Sequence, residues 1–446
     1  MAKDKMMTET TSASVQISSH SMAVAALSTV VEWYDFTLYL YFATVLARVF
    51  FGGEAASLDI TLAGFAISWL LRPLGAFYFG RIGDRYGRRR MLLISMALVT
   101  GTMLLTSLLP TYQQAGPAVG VMLIFLRGIM AFSVGGEYTG VVAYLLEGSS
   151  RQHRGLVTSL ASAASGIGAL LATGVSALTV RLTERGELDA WGWRIPFVVG
   201  FTLASVLWLA RTRLEESPAF ACHQRKIAPF ALRISLVRFR YAIGRAFAIS
   251  ALGSVTYYLG ITYVPAFLVS TMAFSEEDAL SLSVVAALAV IIITPCIGWL
   301  SDRIGRRPVL LFLATGSLVI PLPVFWLMSS GHYLSSMAGA VVLACLAGSV
   351  SAAGAPSTAE LFPLEGRLTG LAVGTTAATS IFGGMMPYLA QVLTTHYHSD
   401  LAPGFIIVLV ALGVFPVFLK MPETAPDKSG HKPQPENARD SSSAHG

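Results

Sequence analysis

About twelve stretches of this 446-residue chain are apolar over a length that crosses the roughly 30 Å core of a bilayer at about 1.5 Å per helical residue. They begin near Ser21, Leu58, Met91, Ala118, Gly155, Gly192, Arg245, Ala279, Pro308, Leu334, Leu368 and Ala402. Backbone inside hydrocarbon has no water to bond, so repeated spans of this kind fold as a helical bundle. The chain is 54% hydrophobic and only 13% charged, with a mean hydropathy of +0.64. A soluble domain carries about 25% charge. Soluble globular folds, disorder, collagen and disulfide scaffolds are thereby excluded. Cys222, Cys296 and Cys345 fit neither a disulfide framework nor a paired thiolate site. The net charge of +6 does not point to nucleic acid, because the basic residues sit between spans, where the positive-inside rule places them.

That rule also sets an expected orientation. With both termini cytoplasmic, about nineteen basic loop residues fall inside and about four outside (Arg48, Arg181, Arg185 and Arg194). Residues 1–20 then form a cytoplasmic tail without the features of a signal peptide. Residues 21–211 form one six-span half, 212–244 a cytoplasmic loop, 245–420 a second half and 421–446 a polar tail. The loop interleaves basic and apolar residues (LRISLVRFRYAIGRAF), which suits either a helix on an anionic leaflet or a solvated linker.

The halves repeat one another. GRIGDRYGRRR (Gly80 to Arg90) recurs as GWLSDRIGRRP (Gly298 to Pro308), and Glu147–Arg154 recurs with the same spacing as Glu360–Arg367. LEESPAF (Leu214 to Phe220) has its counterpart in MPETAP (Met421 to Pro426). A parallel repeat of this kind implies a pseudo-two-fold axis along the membrane normal and a central cavity between the halves.

These residues resemble the major facilitator superfamily over essentially the whole chain. Gly83-Asp84-Arg85-Tyr86-Gly87-Arg88-Arg89 is similar to that superfamily's loop motif. Glu32-Trp33-Tyr34-Asp35-Phe36, Arg72-Pro73-Leu74-Gly75 and Gly135-Gly136-Glu137-Tyr138, with Glu147 and Arg154, narrow the resemblance to its metabolite:proton symporter family. The resemblance implies an all-α membrane protein of twelve transmembrane helices in two six-helix halves. It implies import of an organic acid, osmolyte or similar metabolite with a proton. The short C-terminal tail lacks the heptad-bearing extension of the osmosensing members, and the fifth span lacks the Gly-Pro signature of drug:proton antiporters.

A charge at mid-bilayer costs about 2.5–3.5 kcal/mol on insertion scales. Glu32, Asp35, Arg72, Arg127 and Glu137 lie deep in spans of the first half, whereas spans of the second half carry charge only at their ends. Unpaired, the five would cost on the order of 12–17 kcal/mol. They must face one another, water or the cargo. Three acids against two arginines leave about −1, which one proton neutralises. The five therefore form either a proton-coupling cluster or fixed ion pairs that only set helix packing.

Polar and aromatic residues within apolar spans are the expected cavity lining: Tyr34, Tyr39, Trp69, Tyr138, Ser162, Ser165, Tyr257, Tyr258 and Tyr388, with Tyr263, Ser349, Ser351 and Met385. A cytoplasmic gate is expected from Asp84, Arg85, Arg88, Glu147, Arg154, Asp302, Arg303, Arg306, Glu360 and Arg367. His332, His396 and His398 do not assemble a metal site, and a Walker A pattern is absent, so the expected driving force is the proton gradient with no cofactor. The sequence thus points away from an enzyme. It points to a monomeric proton symporter of the bacterial inner membrane, with a small carboxylate-bearing or zwitterionic metabolite as cargo. A proton antiporter exporting a metabolite, siderophore or drug is the alternative.

Overall fold

The computed structural model describes residues 18–52, 57–216, 238–363, 367–397, 399–426 and 428, and they are helical almost throughout. Twelve helical spans are found among the described residues, each starting within a few residues of its hydropathy window. The first is Ser19–Tyr41, extended beyond Phe42 by Ala43–Phe51. The second is Ser57–Tyr86, the third Arg88–Ser107, and the fourth Ala118–Val134 with Glu137–Gly148. The fifth is Arg154–Leu182 and the sixth Arg194–Arg211. The second half repeats this with Arg240–Tyr257 and Val264–Met272, Glu276–Ile304, Arg306–Val319 and Pro321–Met328, and Tyr333–Glu360. Its eleventh span runs from Arg367–Leu371 to Met386–Tyr397, and the twelfth is Ala402–Leu419.

Seven of these spans are individually long and apolar enough to cross a membrane, and the ninth, bent by 43°, makes an eighth. The other four carry either charge or a break in the helix. Glu32 and Asp35 lie in the first span, and Arg72 precedes Pro73 in the second. A π turn at Tyr258–Thr262 breaks the seventh, and π turns at Ala372–Thr376 and Ser380–Gly384 break the eleventh. Irregular backbone is tolerated at membrane depth only where protein or a cavity covers it. These four spans all face the centre of the bundle, whereas the third, sixth, ninth and twelfth stand outside it.

Each half has its own apolar core, one around Leu38, Phe50, Met103, Leu123 and Trp193, the other around Leu252, Phe267, Leu310 and Phe325. A third cluster joins the halves at the end that carries the arginine-rich motifs, through Phe79, Met91 and Leu145 on one side and Ala246, Phe362 and Leu368 on the other. Lipid gives little hydrophobic drive between helices, so close approach depends on small residues. Gly75 of the second span lies against the Phe132 carbonyl, and Gly135 lies against the Arg72 carbonyl and the Ala76 amide. Gly155 and Gly298 meet each other across the two halves.

Part of the loop read as either a leaflet helix or a solvated linker is neither: Arg240 to Phe247 is the beginning of the seventh span. Residues 217–237 of that loop, most of the N-terminal tail and nearly all of the C-terminal tail lie outside the described residues.

Gly75→Ala places a methyl group on a backbone carbonyl that has nowhere to go, so the loss should reach or exceed the about 1–3 kcal/mol typical of overpacking. Gly101→Ala has open space around it, and its gain in helix propensity should leave stability unchanged or raised. Thermal unfolding of the two variants in detergent is expected to separate them, Gly75→Ala melting well below the parent.

Candidate functional site

A cavity of about 170 Å³ lies between the halves, with room for about six waters at their roughly 30 Å³ share of liquid volume. Glu32 and Trp33 of the first span, Arg72 of the second, Tyr138 of the fourth, and Ser162 and Ser165 of the fifth line one side. The other side is mostly apolar, with Ile249, Val350 and Leu371, and carries the uncharged hydroxyls of Ser250, Ser254, Ser351, Thr375 and Thr379. Tyr138 and Ser162 share a hydrogen bond of 3.0 Å, and Ser162 reaches Ser351 of the other half at 3.2 Å.

The five intramembrane charges do not form one cluster. Arg127 holds Asp35 with two bonds, at 2.6 and 2.8 Å, behind the cavity wall. Glu137 is bonded by Arg211 at 2.5 Å and by the Ser95 hydroxyl. Arg211 also donates to the Leu92 carbonyl and to Ser28. Only Glu32 and Arg72 face the cavity among the described residues. Their nearest approach is 3.5 Å, looser than the about 2.7–2.9 Å of a charge-assisted bond. The Glu32 Oε2 atom has no hydrogen-bond partner among the described residues. The Arg72 guanidinium lies 4.2 Å from the Trp69 ring centre and 5.5 Å from that of Phe36.

Arg211 corrects the sequence count. It is fully buried, so the buried set is three acids with three arginines and carries no net charge. In the sequence it stands at the last turn of a span beside a basic loop, where it looks like any interfacial anchor. Only the neighbouring helices show that its side chain turns inward.

Aromatic rings separate the cavity from the end opposite the arginine-rich motifs. Trp33 meets Tyr257 at 4.9 Å, and Phe36 and Trp69 pack edge to face at 5.3 Å. Trp69 meets Tyr258 at 5.3 Å. Tyr258 rests on Gly383 and Trp69 on Gly384, where a side chain would crowd them. The arrangement thus joins the first and second spans to the seventh and eleventh.

At the arginine-rich end the seal is polar. Asp84 accepts bonds from the Leu368 and Thr369 amides at 3.3 and 2.9 Å and from the Thr369 hydroxyl at 2.8 Å. Asp302 accepts from the Gly155 and Leu156 amides at 2.7 and 2.9 Å. Each carboxylate at the end of one half's helix therefore satisfies the open N–H groups that begin a helix of the other half, and faces the positive end of its dipole. Arg367 crosses to Glu147 at 3.0 Å, where Arg88 also binds. Arg306 pairs with Asp302 and Glu360.

Two further acids belong to this network and had no assigned role in the sequence. Glu216 accepts from the Arg88 and Arg89 amides, and Glu423 from those of Arg306 and Arg307. The signal was present in the LEESPAF and MPETAP repeat, but its purpose depends on which helix start lies opposite.

Several expected residues stand elsewhere. Tyr34 is buried away from the cavity with its hydroxyl on the Pro196 carbonyl, and the Tyr39 hydroxyl donates to the Thr61 carbonyl. Tyr388 is 76% exposed and does not line the cavity. Arg85 and Arg303 lie over Tyr86 and Trp299, at 5.2 and 4.1 Å, and make no ion pair among the described residues. Arg154 makes none with Glu360, so the repeat is not reproduced at that pair.

The pattern of the Major Facilitator Superfamily matches residues 24–373 and 284–444. The chain is 29% identical over 418 residues to the proline/betaine transporter of Escherichia coli K12, covering 91% of this chain and 83% of the relative. It is 29% identical over 385 residues to the citrate-proton symporter of Klebsiella pneumoniae (85% and 86% covered). It is 31% identical over 389 residues to the shikimate transporter of Escherichia coli K12 (82% and 86% covered). Among solved structures, the proton:xylose symporter XylE bound to 6-bromo-6-deoxy-D-glucose superposes with a TM-score of 0.76 at 18% identity, over 91% of this chain and 96% of that one. The chain belongs to the Major Facilitator Superfamily. It is an integral membrane transporter and not an enzyme.

Arg211→Ala removes one partner of a buried pair and leaves Glu137 uncompensated, which should cost about 3–5 kcal/mol. The double variant Arg211→Met with Glu137→Met restores neutrality and is expected to recover most of the loss. A thermal-stability comparison of the single and double variants checks this.

Proposed function

We propose that this transporter imports a small polar metabolite together with a proton, with Glu32 as the proton's carrier and Arg72 as its switchable partner. The observation that carries the assignment is the unpartnered Glu32 oxygen in the cavity, beside an arginine held at 3.5 Å. A carrier has to gain and lose its proton in contact with the cavity, so a carboxylate gripped by short bonds makes a poor one. Asp35 and Glu137 are gripped in that way, and both act as braces: Asp35–Arg127 ties the first span to the fourth, and Glu137–Arg211 ties the fourth to the sixth.

Support for symport comes from the names of the relatives, which include a citrate-proton symporter. The proton gradient supplies the driving force, and no cofactor takes part. One chain surrounds the cavity, so the working unit is a monomer in the bacterial cytoplasmic membrane. Its arginine-rich end and both termini face the cytoplasm, as the distribution of basic residues favours.

Transport then proceeds by exchanging seals. The Asp84 and Asp302 caps, with Arg367–Glu147, hold the cytoplasmic end shut and part when the cavity opens inward. The aromatic layer parts when it opens outward. Breaking either seal biases the equilibrium toward the other conformation by its differential free energy.

In vesicles, Glu32→Gln should still exchange cargo across the membrane, while accumulation driven by an imposed pH gradient falls on the order of tenfold or more. Normal gradient-driven accumulation in that variant would remove Glu32 from the role. Asp84→Asn is expected to slow transport several-fold, in a range set by about 1 kcal/mol of gating bias, with cargo binding by thermal shift retained.

A further inference from the structure

The charge inventory of the cavity constrains the cargo itself, an inference that rests on Glu32 being the proton carrier. Among the described lining residues only Glu32 and Arg72 are charged, and they sum to zero. The pairs Asp35–Arg127 and Glu137–Arg211 are closed and neutral behind the wall. One proton on Glu32 leaves the cavity at +1. A space shut off from water on both sides holds uncompensated charge at high cost, so the state that is closed around its contents is close to neutral. The missing charge has to come from the cargo.

We infer that the cargo is a singly charged anion, a hydroxylated monocarboxylate carried one-for-one with a proton and without net movement of charge.

Three features of the geometry lead to the same class. Protonated Glu32 is a poor partner for a guanidinium, which releases Arg72 to take a carboxylate in its planar fork. Arg72 is the only cation on the wall among the described residues, so a second carboxylate on the cargo would find no counter-charge. On the facing side, the Thr375 and Thr379 hydroxyls already donate to the Leu371 and Thr375 carbonyls, so with Ser250, Ser254 and Ser351 they offer chiefly acceptor oxygens to hydroxyl groups on the rest of the cargo.

A zwitterion is less well served. Its cationic end would compete with the proton for Glu32, and the Trp69 face is already covered by Arg72. The remaining titratable groups around Glu32 do not alter the count. Glu137 of the fourth span and Arg211 of the sixth neutralise each other, and Arg72 of the second is already included. Tyr138 of the fourth span and Tyr257 and Tyr258 of the seventh are neutral phenols, and the fifth span contributes Ser162 and Ser165. Binding of cargo and proton are therefore coupled, each making room for the other.

The test uses the full chain in liposomes, with uptake and charge movement measured together under an inward pH gradient. The probes are shikimate and a panel of other hydroxylated monocarboxylates, glycine betaine as the zwitterion, and citrate as the polyanion. Expected is uptake of a monocarboxylate that rises with the pH gradient, is insensitive to a potassium–valinomycin potential, and produces no current. Glu32→Gln should keep monocarboxylate exchange and lose its dependence on the gradient. Gradient-driven betaine uptake with an inward current, or citrate uptake, in preference to every monocarboxylate would overturn the inference and leave symport standing. Uptake of every probe that ignores the pH gradient would overturn symport, and the inference with it. An absence of transport for the whole monocarboxylate panel also overturns the inference.

Discussion

Everything in this molecule turns on the expense of placing charge in hydrocarbon and on the way three ion pairs meet it. In Asp35 with Arg127 and Glu137 with Arg211 both carboxylate oxygens accept short bonds, and neither pair lines the cavity. The pair of Glu32 and Arg72 is loose, has an unpartnered oxygen and borders open space. The same chemical pairing thus serves two ends according to how much of its bonding is satisfied. Where both carboxylate oxygens are bonded the pair fixes helix packing, and where one is left without a partner among the described residues it can exchange partners. Breaking a buried pair costs about 3–5 kcal/mol, which keeps the first half rigid around Glu32, the acid proposed to carry the proton.

The two seals of the cavity differ in physical kind. At the arginine-rich end they are hydrogen bonds from carboxylates to helix starts, repeated across the pseudo-two-fold axis by Asp84 and Asp302. Such bonds are directional and water can replace them when they part, so their loss on opening is largely compensated. At the other end the contacts are aromatic rings on glycines, which slide without leaving polar groups unsatisfied. The π turns at Tyr258–Thr262 and Ser380–Gly384 lie at that level, where irregular backbone lets a half-span move independently of the rest. A bundle with a polar latch at one end and a dry slide at the other can change accessibility without breaking its cores.

The motifs that carried the family resemblance acquire a mechanical reading in three dimensions. Arg72-Pro73-Leu74-Gly75 and Gly135-Gly136-Glu137-Tyr138 are separate in sequence, but Gly75 faces the Phe132 carbonyl and Gly135 faces the Arg72 carbonyl, so the second and fourth spans cross in contact there. This crossing delivers Arg72 to the cavity and Glu137 to the opposite side of the wall. The glycines and the charges are one device: the first allow the approach that positions the second.

The number of spans, the two-fold repeat, the abundance of charge in the first half and the acids at the helix ends were all legible in the chain itself. Hydropathy, repeat spacing and the cost of buried charge are local or additive properties, and they can be read without knowing which helices touch. What could not be read was the partition of those charges. Arg211 looked like an interfacial anchor, Tyr34 and Tyr39 looked like lining, and Glu216 and Glu423 had no visible partner. Each of these was decided by the rotation of a helix about its axis and by the identity of its neighbour. Those are properties of packing between distant segments, where a turn of one residue, about 100°, moves a side chain from lipid to cavity or from cavity to core.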